Sequence, residues 1–357
     1  MSRARDLADL SNVINKGANI QPNLIINSDM AVAQRGTSVS VSDGSNEGYQ
    51  TLDRFAFYFN NSAGGACTIS QSTTVPSGQG FSNSYKVDVT TADTSIAATH
   101  SIIIQQSVEA QNIRNSGWDY TSTSSYITLS FWARSSKAGT YNVVFRADDV
   151  GHKYYIAEYT LVADTWKKVT VTVSGDSSLV INNDTGSGLD IRWNLQAGSD
   201  RNQGTTNQWN ATDAVNQGTS NQVNFFDSTS NEFYLTGVSL VVGDTAPVTH
   251  PYESYAHNLS RCQRYFVRLI ESGGSTYMWG HPIVSTNQLY RRFSITLPEQ
   301  MRAAPTASNL TVAGNGSNGT PSLETASTIN ATFVLDLAVA NTGHYVYLTQ
   351  CDLSSEL

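Results

Sequence analysis

The feature that most constrains this chain is an alternation of apolar and polar residues that begins after residue 21 and continues almost to the C-terminus. In YITLSFWARSS, Ile127, Leu129 and Phe131 fall on one face, while Thr128 and Ser130 fall on the other. Successive side chains of a β-strand point to opposite faces, so a period of two predicts half-buried strands. Clusters of Gly, Asn, Asp and Ser separate these segments and predict turns.

Similar alternation in WKKVTVTVSG, LDIRWNLQAG and many further segments supplies enough strands for two packed sheets. We predict an all-β chain with a jelly-roll-type β-sandwich over residues 22–252 and a smaller β-domain over residues 253–357. The boundary falls in GDTAPVTHPYES, because Pro247 and Pro251 cannot donate hydrogen bonds to a strand ladder.

The N-terminal segment, residues 1–21, has a different pattern. In ARDLADLSNVINKG, Leu7, Leu10 and Ile14 are spaced i, i+3, i+7, and Gly17 is a helix stop. This spacing predicts a short amphipathic helix followed by a linker. Such a helix is marginal alone in water, so we expect neighbouring subunits or an anchoring partner to cover its apolar stripe. Folding back onto its own domain is the alternative.

Composition excludes several classes of protein. Charged residues make up 14% of the chain and the net charge is -8, which argues against binding along a nucleic-acid backbone. No apolar run approaches the roughly 18 residues that a membrane span needs, and the N-terminus lacks the apolar region of a secretory signal. We therefore expect no membrane insertion and synthesis in the cytoplasm. The three cysteines show no disulfide or zinc spacing.

Catalytic motifs are missing from the sequence. It contains no GxSxG elbow, no HExxH pair and no GxxxxGK phosphate loop. Glycoside cleavage normally needs two nearby carboxylates, and we interpret the pairs Asp148/Asp149 and Asp184/Asp190 as solvated carboxylates on turns or exposed strand faces. We predict no catalytic residues and no enzyme. A glycan depolymerase is the alternative.

Aromatic residues in polar loops are the candidate binding residues. Exposed rings stack on the C–H faces of sugars, while polar side chains bind the hydroxyls. The predicted glycan contacts are Trp118, Trp209, Tyr277 and Trp279. An interface between subunits explains each of them equally well. For Trp132, Trp166 and Trp193, which lie in strand-like segments, we predict core packing. The long polar loop of residues 198–220 is a candidate functional loop.

Short motifs occur along the chain in a characteristic order: Asn23–Met30, Gln34–Thr37, Asp53–Phe55, Phe131–Arg134, Asp164–Trp166, Asn221–Asn224, Phe233–Val238, Gly243–Pro247, Cys262–Phe266 and Met301–Pro305. In this order they resemble bacteriophage tail-fibre and related virion proteins that carry a carbohydrate-binding-module-like jelly roll. The segment Val248–Glu253 departs from the usual Pro-Phe-Glu run of that family.

This resemblance implies a virion component, assembled in the host cytoplasm, that forms a homotrimer. It also implies attachment to other virion proteins through the N-terminal helix and a contribution to binding host-surface glycans. A purely structural decoration or adaptor protein is the alternative within the same particle. We predict no cofactor and no metal site. A bound Ca²⁺ is the alternative, since related modules hold calcium and Asn182–Asp190 is oxygen-rich, although it lacks the terminal Glu of an EF-hand loop.

Overall fold

The described part of the chain consists mainly of β-strands. The computed structural model describes residues 22–60, 64–211, 215–270, 278–282, 290–314, 320–336 and 345–357. The predicted anchoring helix with Leu7, Leu10 and Ile14 lies outside these residues. None of the helices in the described ranges is both long and apolar enough to cross a membrane.

Two six-stranded antiparallel sheets form the first and larger part of the structure. Sheet A has the order β1 (Ser38–Ser42), β3 (Ala66–Ser72), β4 (Ser84–Thr91), β12 (Glu232–Val242), β6 (Tyr126–Ser135) and β9 (Lys167–Ser174). Sheet B has the order β11 (Trp209–Asn210), β8 (Lys153–Leu161), β7 (Gly139–Ala147), β10 (Ser187–Ala197), β5 (Ser101–Glu109) and β2 (Ala56–Asn60). A short helix, α1 (Ala110–Arg114), follows β5.

The core lies between the inner faces of these sheets. Ile127, Leu129 and Phe131 of β6 are fully buried, as the alternation predicts. The ring of Phe131 packs edge-to-face on Trp193 of β10, with 5.7 Å between centroids. Aromatic pairs in this geometry add stabilisation beyond the area they bury.

One glycine shapes strand β12. The register between β12 and β6 shifts between Thr236 and Ser239, and Gly237 lies in this irregular stretch with φ of +60°. A Cβ atom at this position would lie 2.4 Å from Cζ of Phe81. Both the left-handed backbone and the close approach of Phe81 therefore require glycine here.

A smaller β-unit follows helix α2 (Tyr255–Gln263), which begins after the N-cap Ser254. Sheet C joins β13 (Phe266–Ile270), β19 (Tyr345–Ser354), β14 (Met278–Pro282) and β16 (Thr306–Gly314), with β19 central. Sheet D has the order β15 (Tyr290–Thr296), β18 (Asn330–Asp336) and β17 (Thr320–Ala326). The predicted fold, a jelly-roll-type sandwich followed by a smaller β-domain, is confirmed. The predicted boundary at residue 252 falls between β12 and α2.

The C-terminal tail joins the two units through buried charges. Arg54, which is 0% exposed, forms an ion pair with Glu356 and donates a hydrogen bond of 2.7 Å to the carbonyl oxygen of Ser107. Its guanidinium lies over the ring of Tyr265, with 3.5 Å between Cζ and the ring centroid. Arg35 binds the other carboxylate oxygen of Glu356 at 3.0 Å. One carboxylate near the C-terminus is therefore shared by two arginines of the sandwich.

A second buried carboxylate fixes the same junction from the side of the sandwich. Glu109 accepts hydrogen bonds from Arg264 Nε at 2.7 Å and from the Tyr265 hydroxyl at 2.6 Å. Burial raises the pKa of Glu109, but these hydrogen bonds outweigh that effect and hold the pKa below its usual value. Asn258 of α2 adds a hydrogen bond of 3.0 Å to Asp29. The two units therefore share a polar, largely buried contact.

We expect Glu356→Gln to lower the free energy of unfolding by roughly 3–5 kcal/mol, because it leaves the buried Arg54 without its anionic partner. Equilibrium unfolding in denaturant measures this loss. Glu324→Gln is the matched control, since Glu324 forms an exposed ion pair with Arg292 in sheet D. We expect no measurable change there. Equal effects of the two variants would show that the buried pair has no special role.

The link between the units includes a buried histidine. His250 Nε2 lies 3.0 Å from Ser28 Oγ, and its ring packs edge-to-face on Phe81 with 5.2 Å between centroids. Burial, with a smaller contribution from Lys168, lowers the pKa of His250 to about 4. The folded protein therefore favours the neutral imidazole.

Because the unfolded chain takes up this proton near pH 6.5 and the folded chain near pH 4, stability contributed by His250 is lost as pH falls between these values. We expect a loss of roughly 2 kcal/mol from pH 7 to pH 4.5. His250→Gln, which keeps a neutral polar group beside Ser28, should remove this component. Parallel pH profiles of unfolding for the variant and the parent protein would contradict the assignment.

Candidate functional site

The outer face of sheet B presents ordered rows of side chains. Strand alternation that buries Ile191 and Trp193 in the core directs Asp190 and Arg192 to the opposite face. Across the strands, one row follows the register Ala56, Gln105, Arg192, Val144, Ile156. The next row follows Ser107, Asp190, Arg146, Tyr154. Residues from distant parts of the chain thus meet on one surface.

These rows form the floor of a cleft of about 430 Å³. The cleft is lined by Tyr58, Asn60, Ser101, Ile103, Gln105, Arg146, His152, Tyr154, Arg192, Arg201 and Gln217. Tyr58 lies on β2 and Tyr154 on β8, so four strand spacings of about 4.8 Å, roughly 19 Å in total, separate the two strands. Tyr58 is half-buried at one side of this polar floor, whereas Tyr154 at the other side is 5% exposed and packs with Val144 and Ile156.

Asp190 holds the arginines of the floor in position. It is 1% exposed, and its Oδ2 lies 3.2 Å from a terminal nitrogen of both Arg146 and Arg192. Its Oδ1 accepts hydrogen bonds from Ser107 Oγ at 2.6 Å and Ser187 Oγ at 2.7 Å. Burial raises the pKa of Asp190, while Arg146 opposes that effect. The prediction that Asp190 is a solvated carboxylate is wrong, because the two arginines and two serines enclose it.

The polar loop after β10 forms one wall of the cleft. Asn194 Nδ2 donates to the carbonyl oxygen of Gln217 at 2.7 Å, and the Gln217 amide donates to the carbonyl oxygen of Arg201 at 3.1 Å. Arg201 Nε in turn donates to the carbonyl oxygen of Thr99 at 3.2 Å. These bonds fix the described parts of the predicted functional loop against sheet B and place Arg201 and Gln217 at the cleft.

Two of the four aromatic residues predicted to bind glycans, Trp118 and Trp209, have described side chains. Trp118 is 3% exposed, packs near Tyr120 and donates its indole N–H to the carbonyl oxygen of Ser125, so it presents no exposed ring face. Trp209 is half-buried beside Tyr155 at the end of sheet B, with its indole bonded to the carbonyl oxygen of Ser174.

The other aromatic residues named from the sequence have different outcomes. Tyr277 lies outside the described residues, and Trp279 lies in β14, of which only the backbone path is described. Both stay predictions. Trp193 is fully buried, as predicted, whereas Trp132 and Trp166 are only half-buried.

The cleft residues were missed because the sequence gives only a weak signal for them. In LDIRWNLQAG and TYNVVFRA, Arg192 and Arg146 occupy the positions that alternation assigns to an outer face. An outer face is usually solvated, and periodicity does not show which strands are neighbours. The available sequence signal was the pair Asp190 and Arg192, which lie two positions apart on the outer face of one strand.

Metal-ligating side chains form no cluster of three or more His, Cys, Asp or Glu within the described ranges. In the segment of the predicted calcium alternative, Asp184 Oδ1 accepts the Gly186 amide at 2.9 Å, and Asp190 is bound by arginines. Asp149 accepts hydrogen bonds from Asn182. The carboxylates of this region are thus bonded within the protein.

Comparisons with known proteins find structural similarity only. No family model matches the chain, and no curated protein matches it. Similar solved structures include a family 4 carbohydrate-binding module (13% identity, 61% of this chain, 98% of that one, TM-score 0.31). Others are a family 11 module of a Clostridium thermocellum cellulase (12%, 57% and 96%, 0.29) and a xylan-binding domain from Paenibacillus barcinonensis (11%, 60% and 100%, 0.26). Sequence identity and TM-scores at this level do not indicate a function for this chain.

Proposed function

We propose that this chain is a non-catalytic, glycan-binding component of a bacteriophage particle, of the tail-fibre kind, and that it holds a host-surface saccharide in the cleft of sheet B. The cleft itself carries this proposal. Tyr58, which is half-buried, supplies a ring face for sugar C–H groups, while Gln105, Arg192 and Gln217 supply polar groups for hydroxyls. A concave site with a few convergent polar groups is a typical binding site.

Ordered sequence motifs support the placement on a virion. Several of the motifs that resemble tail-fibre proteins contain residues of the buried junction, among them Asn27, Arg35, Arg54 and Tyr265. These motifs therefore contribute to the contact between the two units, and none of them contains a residue that lines the cleft. The proposals for the particle and for glycan binding rest on different observations.

We expect Tyr58→Ala to weaken binding of the strongest ligand on a glycan array by roughly tenfold, because a sugar ring loses its stacking surface. Isothermal titration with the purified chain measures the change. Tyr126→Ala is the matched control, since Tyr126 is 38% exposed on sheet A, away from the cleft. Unchanged affinity of the Tyr58 variant would place the site elsewhere.

The same ligand tests the absence of catalysis. Incubation of the chain with the bound polysaccharide should release no new reducing ends. Their appearance would favour the depolymerase over the binding protein. If no glycan binds at all, the purely structural decoration protein is the better explanation.

We also expect the full-length chain to form a homotrimer, with a mass near three times 38.7 kDa by light scattering. Exposed apolar residues beside α2 support a contact between subunits, since Val248 is 83% and Tyr252 90% exposed. Replacing both by serine should lower the mass if they form this contact. A parent protein that scatters as a monomer would contradict the trimer.

A further inference from the structure

Three guanidinium groups line the cleft of a chain whose net charge is -8. They belong to Arg146 on β7, Arg192 on β10 and Arg201 in the loop wall. On the basis of the glycan-binding function proposed above, we infer that the cleft selects saccharides that carry an anionic substituent, a uronate-type carboxylate or a phosphate or sulfate ester. This selection goes beyond sugar binding as such.

Cationic charge exceeds anionic charge in the cleft. Asp190 contacts Arg146 and Arg192, and Asp148 pairs with Arg146. Arg201 differs, because its bond is to the neutral carbonyl oxygen of Thr99. No carboxylate of the described residues lies within 4 Å of Arg201. Three arginines against two carboxylates leave one formal positive charge.

The excess positive charge lies on the lining of the cleft. Arg146, Arg201 and Tyr154 line the same cleft, so both guanidiniums lie beside the space that a ligand would occupy. His152 Nδ1 lies 3.0 Å from Asp148 Oδ1 at the same end. A partly enclosed guanidinium binds a carboxylate or phosphate with its planar fork more strongly than it binds a neutral hydroxyl.

A second cavity can be compared with the cleft by its charged residues. A cavity of about 370 Å³ at the junction contains Arg35 and Arg268. Each faces a carboxylate, since Arg35 pairs with Glu356 and Arg268 binds Asp352 with two hydrogen bonds of 2.8 Å. Glu356 also pairs with Arg54, so three arginines meet two carboxylates at the junction as well. The cleft of sheet B differs because Arg201 has no carboxylate of the described residues within 4 Å, whereas every arginine of the junction named here has one.

Arg201 is the residue to test. Loss of Arg146 or Arg192 would leave the buried Asp190 with one cation fewer, which destabilises the fold. Arg201 contacts no buried carboxylate and can be changed without that effect. Arg292→Gln is the charge-matched control, because Arg292 is exposed in sheet D and has only an exposed partner, Glu324, in its ion pair.

The experiment titrates the full-length chain with paired oligosaccharides. A uronate tetrasaccharide and a sialylated trisaccharide are each compared with their carboxyl-reduced forms, and a phosphorylated and a sulfated sugar are compared with the parent sugars. We expect at least one anionic member to bind roughly tenfold or more tightly than its neutral partner. Arg201→Gln should reduce that ratio severalfold, while Arg201→Lys retains part of it and Arg292→Gln changes nothing.

The remaining outcomes separate the two proposals. If neutral and anionic partners bind equally and Tyr58→Ala weakens both, the glycan cleft stands and the selection for anions is wrong. If anion preference survives Arg201→Gln with the variant folded by circular dichroism, Arg201 does not provide it and the inference is also overturned. If neither member of any pair binds, both the anion selection and the glycan-binding function fail.

Discussion

The ion pairs that Arg54 and Arg35 make with Glu356 are the interaction on which the rest of the structure depends. An arginine with no solvent exposure is costly unless a carboxylate balances its charge and its donors are bonded. Glu356 supplies the negative charge, and its carboxylate and the Ser107 carbonyl accept hydrogen bonds from the two terminal nitrogens of Arg54. The ring of Tyr265 lies against the guanidinium, and the Nε of Arg54 has no hydrogen-bond partner among the described residues. Glu356 lies after strand β19, so a residue that follows the last strand of the smaller unit contributes the carboxylate that pairs with a buried arginine of the sandwich.

The junction also shapes the cleft. Ser107, whose carbonyl oxygen accepts a hydrogen bond from Arg54, uses its hydroxyl to bind Asp190, and Asp190 positions Arg146 and Arg192. A continuous set of polar contacts therefore runs from the C-terminal tail to the floor of the cleft. Such networks hold side chains in one arrangement when every member is satisfied. A pre-arranged floor lowers the entropic cost of ordering protein side chains when a ligand binds.

Alternation alone predicted the sandwich and its core, because a strand with apolar residues on one face can bury only that face. Trp193 and Phe131 followed this rule. The cleft could not be predicted in the same way. Arg146 and Asp190 are distant in sequence and meet only because β7 and β10 are neighbours, a fact of topology that periodicity does not contain. The exposed-carboxylate prediction for Asp190 failed for the same reason in part, since two of its four partners, Ser107 and Arg146, come from neighbouring strands.

The assignment of binding residues to loop tryptophans shows why residue type is a weak guide. Trp118 satisfies its indole N–H within the protein and is covered by its neighbours, so its large ring stabilises the fold. Tyr58, by contrast, is half-buried and lies on the face to which the backbone alternation also directs arginines. A ring beside fixed cations can recognise both the apolar face and a charged substituent of one sugar. The combination of neighbouring groups on sheet B, and not any single aromatic residue, therefore defines the site.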